Sequence, residues 1–372
     1  MSLIFYNSYD TFLNPKNKSL CDNVPGSNNF ANYFKVFSLN ISAIDRTKTV
    51  KFPLKTHILP HLKLPDFIQQ STSFGDICDE RALFLMMKAK HTGRKLAIMY
   101  SGGIDSTTIL CSLLKNCSAK DIQENVVVLL SHQSINENES FYYNHVVKYF
   151  NCVSSFRFPY FLGNDDYIFL SGENADQLFG SQVVGNFTEV YPFSDVLKSV
   201  AVAKDKLINL FSIRLNGDIA ASSLLFDRLK KICDAAPIPI DNLYKMLWWI
   251  NFTTKWQSVY VRMLPYSKNQ DTLILEENYT TFFCTKEFQL WAMNNSDSLS
   301  GDGTTPSKFV AKKYIVDYNG DSSYYSKPKI GSLTNLATQK TMPMWINEDL
   351  NYSYDYPNSS LYNYDNDFME TK

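Results

Sequence analysis

No apolar run in the chain reaches the roughly 20 residues that a membrane-spanning helix needs, and the Met-Ser-Leu-Ile start has no basic region and no long apolar core. A soluble, cytoplasmic protein without a membrane partner is therefore expected. Neither sign of charge is in excess: 36 basic side chains stand against 37 acidic ones, a formal net charge of -1. That balance gives no electrostatic case for nucleic acid as a partner. Paired cysteines are missing too. The seven present (Cys21, Cys78, Cys111, Cys117, Cys152, Cys233, Cys284) form no C-x-x-C pair and no metal-ligand spacing, so they read as reduced core thiols. Among the five histidines the closest pair, His57 and His61, is separated by Pro60, which points to a loop and away from a zinc site. No G-x-x-x-x-G-K-[ST] stretch occurs, which excludes the Walker type of phosphate loop with its lysine.

What remains is a chain of 372 residues, 45% hydrophobic, enough for one large or two ordinary domains. Residues 1–75 are asparagine-rich and aromatic, with Pro15, Pro25, Pro53, Pro60 and Pro65, and suggest short strands and loops laid over a main domain. A helix is expected over Ile77–Lys90, with Leu83, Leu85, Met86 and Met87 on its apolar side. Residues 76–190 then alternate strand and helix. Leu96–Tyr100, Val126–Leu130 and Tyr167–Leu170 are apolar throughout, as parallel strands covered on both faces should be. Helices are expected over Thr107–Lys115 and Glu139–Phe150, the second bringing Phe141, His145, Val146 and Tyr149 to one side, with His145 read as packing. Residues 191–340 read as mostly helical. Ser194 and Asp195 are candidate caps for a helix to Leu210, Asp218 for one to Cys233, and Asp241 for one to Asn251. Trp248 and Trp249 read as core, and Thr305-Pro306 as the opening of a helix that Asn319-Gly320 ends. In residues 341–372 tyrosine and asparagine replace the aliphatics, a tail either disordered or draped on the surface. The expected class is α/β, a parallel-sheet core followed by a mostly helical part.

Two stretches carry chemistry. Ser101-Gly102-Gly103-Ile104-Asp105-Ser106-Thr107 follows the first apolar strand and leads into a helix. Consecutive glycines let backbone N–H groups approach an anion, and the helix start turns its positive end on the same point. Ser101, Ser106 and Thr107 add hydroxyls, and Asp105 adds a carboxylate able to hold magnesium among phosphates. That is a pyrophosphate cradle. The second stretch, Ser171-Gly172-Glu173-Asn174-Ala175-Asp176-Gln177-Leu178-Phe179-Gly180, puts another glycine turn at a strand's carboxyl end, where open α/β sheets bind ligands. Glu173 and Asp176 are three apart, which places them on one side of a helix's first turn if the helix begins there.

SGGIDS resembles the PP-loop of the N-type ATP pyrophosphatases, whose core is of the adenine nucleotide alpha hydrolase-like type. Together with SGENADQLFG it resembles the synthetase domain of the asparagine synthetase family, whose second motif is typically SGEGADELFGGY; β-lactam synthetases and lasso-peptide cyclases are relatives. Lys327-Pro328-Lys329-Ile330-Gly331 is similar to that family's RPKxGF segment, and Phe283 before Thr285-Lys286-Glu287-Phe288 to its PF-D-x-x-F stretch. The likeness covers about residues 76 to 335. It implies an ATP-dependent ligase that cuts ATP to AMP and pyrophosphate, adenylates a carboxylate and passes the acyl group to ammonia or another amine. Aspartate to asparagine, an amino-acid biosynthetic step, is the family default. Carried over residue by residue, Ser101, Gly102, Gly103, Asp105 and Ser106 would bind pyrophosphate, with Ser171 beside them, and Asp105 and Asp176 would hold Mg2+. Backbone at Met99, Leu130 and Gly172 would line the adenosine. Glu173 would be the general base and Lys329 would offset charge on the reacting phosphate.

The chain also departs from that pattern. The family's glutaminase needs a cysteine directly after the initiator Met, where this chain has Ser2, and residues 1–75 are too few for that domain. Ammonia is therefore expected from a separate source or a partner glutaminase. Asn174 and Ser181 replace glycines, and Gln177 replaces an acid. The stretch between Phe158 and Tyr167 is shorter than the family's crossover, so either a strand is lost or Val153–Phe158 spans the sheet. Which carboxylate and which amine react stays open. Two other readings share the first motif: a PP-loop enzyme modifying a nucleobase or tRNA, and a non-catalytic nucleotide-binding subunit.

Overall fold

The computed structural model describes residues 2–14, 27–37, 42–54, 57–267, 275–300, 308–327 and 343–353. In chain order its strands are β1 (Ser2–Tyr6), β2 (His57–Ile58), β3 (Lys95–Met99), β4 (Val126–Leu130), β5 (Asn151–Ser154), β6 (Tyr167–Ser171), β7 (Tyr279–Thr281), β8 (Trp345–Asn347) and β9 (Tyr352–Ser353). The chain divides into two compact units that do not follow the sequence divisions above: one of Ile68–Leu178 with Met263–Lys340, the other of Met1–Phe67, Phe179–Arg262 and Thr341–Lys372.

The first unit is built on a five-stranded sheet in the order β5-β4-β3-β6-β7, every neighbouring pair parallel. Leu96, Ala97, Ile98, Val128, Leu129, Ile168, Phe169 and Leu170 are fully buried, which explains the unbroken apolar strands. The helix Phe74–Thr92 starts at Ser73, whose hydroxyl accepts from the Asp76 N–H, and ends at Gly93 in the left-handed region. Its buried stripe is Ile77, Cys78, Ala82, Leu85, Met86 and Ala89, while Leu83 and Met87 are exposed. Those two stand one position beyond stripe residues, turned about 100° away, and so miss the core. The expected helix over Glu139–Phe150 runs to Tyr149 with a wider turn at Tyr142–Val146, and buries Phe141 and Val146 while Tyr149 faces solvent. Asn151–Ser154 is the edge strand of the sheet, paired with β4. It stops before Phe158, where a helical turn with Pro159 at its start helps carry the chain back across to β6. The C-terminal helix is Phe309–Asn319, closed at Gly320 (φ +72°) as expected; Thr305 and Pro306 lie outside the described residues.

In the second unit β1 and β2 do more than overlay a domain. β1 is a central strand of a four-stranded sheet, β2-β1-β8-β9, and Leu3, Ile4, Phe5 and Tyr6 are all buried. Leu3, Tyr6, Phe12, Ala31, Ile44, Leu54 and Met344 share one apolar cluster. Helices Val200–Arg214, Ile219–Asp234 and Leu243–Thr254 belong to the same unit. Asp218 caps the second as expected, and Asn242, one residue after Asp241, caps the third. Ser194 and Asp195 sit in a short turn ahead of the first helix, which begins at Val200. Asp195 is buried there and accepts from Lys198 Nζ at 2.6 Å and from Lys206, so it neutralises lysines and caps nothing. Trp248 and Trp249 are wholly buried. Part of the tail is neither disordered nor draped, because β9 pairs antiparallel with β8. Among the described residues no helix is long and apolar enough to cross a membrane.

Candidate functional site

In the sheet order β5-β4-β3-β6-β7 the chain runs outward from β3 to β4 and β5, then returns to β6 on the other side of β3. The gap between the carboxyl ends of β3 and β6 is the switch point at which open α/β sheets place ligands. Both glycine turns fall there. After β3 the backbone turns at Gly102 with φ +77°, and a Cβ at that position would stand 2.3 Å from the Ser134 carbonyl oxygen and 2.7 Å from Glu137 Cβ. Only glycine fits. The turn is fixed by its hydroxyls: Ser106 Oγ accepts from Ser101 N–H at 3.1 Å, Ser101 Oγ accepts from Gly103 N–H at 3.2 Å, and Thr107 Oγ1 donates to Gly102 O at 3.3 Å. Gly103 caps the helix Ile104–Asn116 without a side-chain partner, which leaves that helix start as a place for an anion.

The second turn meets the first. A Cβ on Gly172 would lie 3.2 Å from Asp105 Cβ and 3.4 Å from Ser106 N, so the two backbones touch. Ser171 Oγ accepts from the Glu173 N–H at 3.5 Å. The helix begins at Ala175, so Glu173 stands in the turn before it and Asp176 in its first turn. Asn174, which replaces the glycine of the resembled motif, has φ +72°. Asparagine is among the few residues that tolerate that region, and its Oδ1 is held by Thr281 Oγ1 of β7 at 3.1 Å. Gln177 is buried, and its Oε1 has no hydrogen-bond partner among the described residues.

Asp105 and Asp176, from the two motifs, converge on one cation supplied by the chain itself. Lys308 Nζ lies 2.6 and 2.7 Å from the two Asp105 oxygens and 2.8 Å from Asp176 Oδ1. The lysine side chain is 7% exposed, against 28% for Asp105 and 45% for Asp176. Burial works against its ammonium, but the two carboxylates outweigh that and hold the Lys308 pKa above the ordinary lysine value. Its backbone is left-handed at φ +57°, a conformation that costs on the order of 1–3 kcal/mol in a non-glycine residue. A lysine at a helix start opposes the helix dipole, which is an unusual place for it but does not by itself mark a site.

The remaining expected residues divide. Met99 is buried at the end of β3 beside Leu129, and Leu130 ends β4, so both lie at the carboxyl edge that carries the turns. Lys329 lies outside the described residues. Its neighbour Lys327 donates to Asn138 Oδ1 at 2.9 Å, in the stretch that follows β4. Burial lowers the Lys327 pKa from its ordinary value. The residues present suit magnesium. Two carboxylates already meet one cation, and one or two carboxylates are what proteins commonly supply to Mg2+. Compared with known proteins, the chain matches no family model and no curated protein.

Proposed function

We propose that this chain is an ATP-dependent, AMP-forming carbon–nitrogen ligase of the PP-loop type. It adenylates a carboxylate and transfers the acyl group to ammonia or another amine. The observation that carries the reading is the contact between the two glycine turns, with Gly172 against Asp105 and with Asp105 and Asp176 converging on one cation. A pyrophosphate cradle without a Walker lysine suits cleavage between the α and β phosphates, because the leaving group is then the part the loop holds.

In this reading the Gly102–Gly103 turn and the start of Ile104–Asn116 bind and orient the departing pyrophosphate, with Ser101 and Ser106 holding the loop open. Magnesium on Asp105 and Asp176 would supply charge neutralisation on the phosphates. A carboxylate oxygen of the substrate attacks the α-phosphorus, the α–β bridge breaks and pyrophosphate leaves. The amine then attacks the acyl carbon, AMP leaves, and Glu173 takes the amine proton. Lys329 is assigned to charge on the α-phosphate during the first step. ATP–pyrophosphate exchange over a panel of carboxylates, aspartate first, tests the reading. Label should enter ATP with one carboxylate; formation of ADP and phosphate would sink it.

A second reading, a nucleotide-binding subunit without catalysis, is favoured by one observation: Asp105 and Asp176 are neutralised by an internal lysine. ATP binding without exchange for any carboxylate would select it.

A further inference from the structure

Lys308 occupies both acidic residues assigned to magnesium. Its ammonium chelates Asp105 through two oxygens and reaches Asp176 across the gap between the motifs. A divalent ion on the same oxygens would meet that ammonium within about 3–4 Å, where like charges repel strongly even after partial screening. The two cations therefore exclude each other. We propose that Lys308 is a resident cation that shuts the divalent-metal position, so that metal enters the Asp105–Asp176 pair only with nucleotide, when Lys308 leaves it. This rests on the nucleotide reading above for what displaces the lysine, but the exclusion itself needs only the two carboxylates.

The backbone favours such a device. Lys308 is held in a left-handed conformation of raised energy while its side chain is clamped. A lysine resting on Asp105 and Asp176 also screens the like charges of the two carboxylates from each other. A metal-competent state populated at about 1–10% weakens apparent metal affinity by about 10–100-fold.

Mn2+ titration of the full chain without nucleotide, followed by the spin-resonance signal of the free ion, reads this directly. Lys308→Met should bind one Mn2+ about 10–100-fold more tightly than the parent. Adding Asp176→Asn to that variant should remove the gain. Equal Mn2+ affinity in parent and Lys308→Met, or no binding by either, overturns the exclusion. If Lys308→Met does not fold, amine acylation of the parent chain mapped by mass spectrometry still decides it. Lys308 should react far more slowly than the half-exposed Lys313, and faster once Mn2+ and the α,β-methylene analogue of ATP are both present. Unchanged labelling of Lys308 with analogue bound contradicts the proposal. Failure of the analogue to bind any form refutes the nucleotide reading instead, and leaves the Mn2+ comparison to judge the exclusion.

Discussion

At Gly102 a positive φ coincides with a Cβ position 2.3 Å from a carbonyl oxygen, so an alanine there is both strained and obstructed. Gly102→Ala is expected to cost about 1–3 kcal/mol in urea unfolding and to abolish exchange of pyrophosphate into ATP. Unfolding at the parent's urea midpoint would show that the turn has slack the geometry denies. In the proposed mechanism Glu173 acts in the second half-reaction. Glu173→Gln should keep the exchange reaction and lower amide formation by about 10²–10⁴-fold, the usual worth of a positioned base. Amide at the parental rate would remove Glu173 from the mechanism. Both turns were legible in the sequence because each follows an unbroken apolar strand and opens with serine and glycine, residues that turns favour. Asn174 was legible as a departure, though only its φ of +72° explains why asparagine is accepted where glycine is usual. Lys308 was not legible as a site residue, since a lysine's partners depend on tertiary placement that spacing does not encode.

Helices Phe74–Thr92, Ile104–Asn116 and Phe309–Asn319 are joined by one carboxylate. Asp79 accepts from Lys115 Nζ at 2.5 Å, from Asn116 Nδ2 at 2.8 Å and from Tyr314 Oη. Burial alone would raise its pKa, but these donors together outweigh burial and lower it from the ordinary carboxylate value. A carboxyl whose folded pKa is depressed stabilises the fold above its unfolded pKa, about 4, and that contribution is lost as pH falls through the lower folded value. Acid unfolding should therefore be shallower in Asp79→Asn than in the parent below about pH 4, and parallel curves would discount the clamp. In the other unit Gly180 has φ +69° and would place a Cβ 2.9 Å from Trp248 Cβ, whereas Gly217 has φ +87° with nothing within 4 Å. Gly180→Ala should lower the melting temperature more than Gly217→Ala, which meets only the backbone penalty of about 1 kcal/mol. Equal losses would mean that Trp248 moves aside freely. Parallel strands and most helices were readable here because their apolar runs are long. The buried face of Phe74–Thr92 differs from the expected one because apolar residues occupy two adjacent stripes, and only packing selects between them.

Across the whole molecule, the two units are discontinuous in sequence, which no composition shift reveals. The sheet unit surrenders the chain after Leu178 and regains it at Met263, with β7 completing the sheet beside β6. Strands of two or three residues such as β2, β8 and β9 are too short to leave a periodic signal, so the smaller sheet could not be foreseen. The tail offers a test at this scale. Removing residues 354–372 should leave the melting temperature and pyrophosphate exchange at parental values, while removing everything from Asp349 also deletes β9 and should lower the melting temperature. If both truncations melt alike, the β8–β9 pairing contributes nothing measurable. Strand β1 carries a consequence for how the chain is made. Its antiparallel partner β8 lies almost the full length of the sequence away, and closing so long a loop is entropically costly and slow. During synthesis Leu3, Ile4, Phe5 and Tyr6 therefore emerge long before Trp345–Asn347 and wait for them, an apolar strand with one edge bare. The nascent protein needs protection at β1 until β8 has been made.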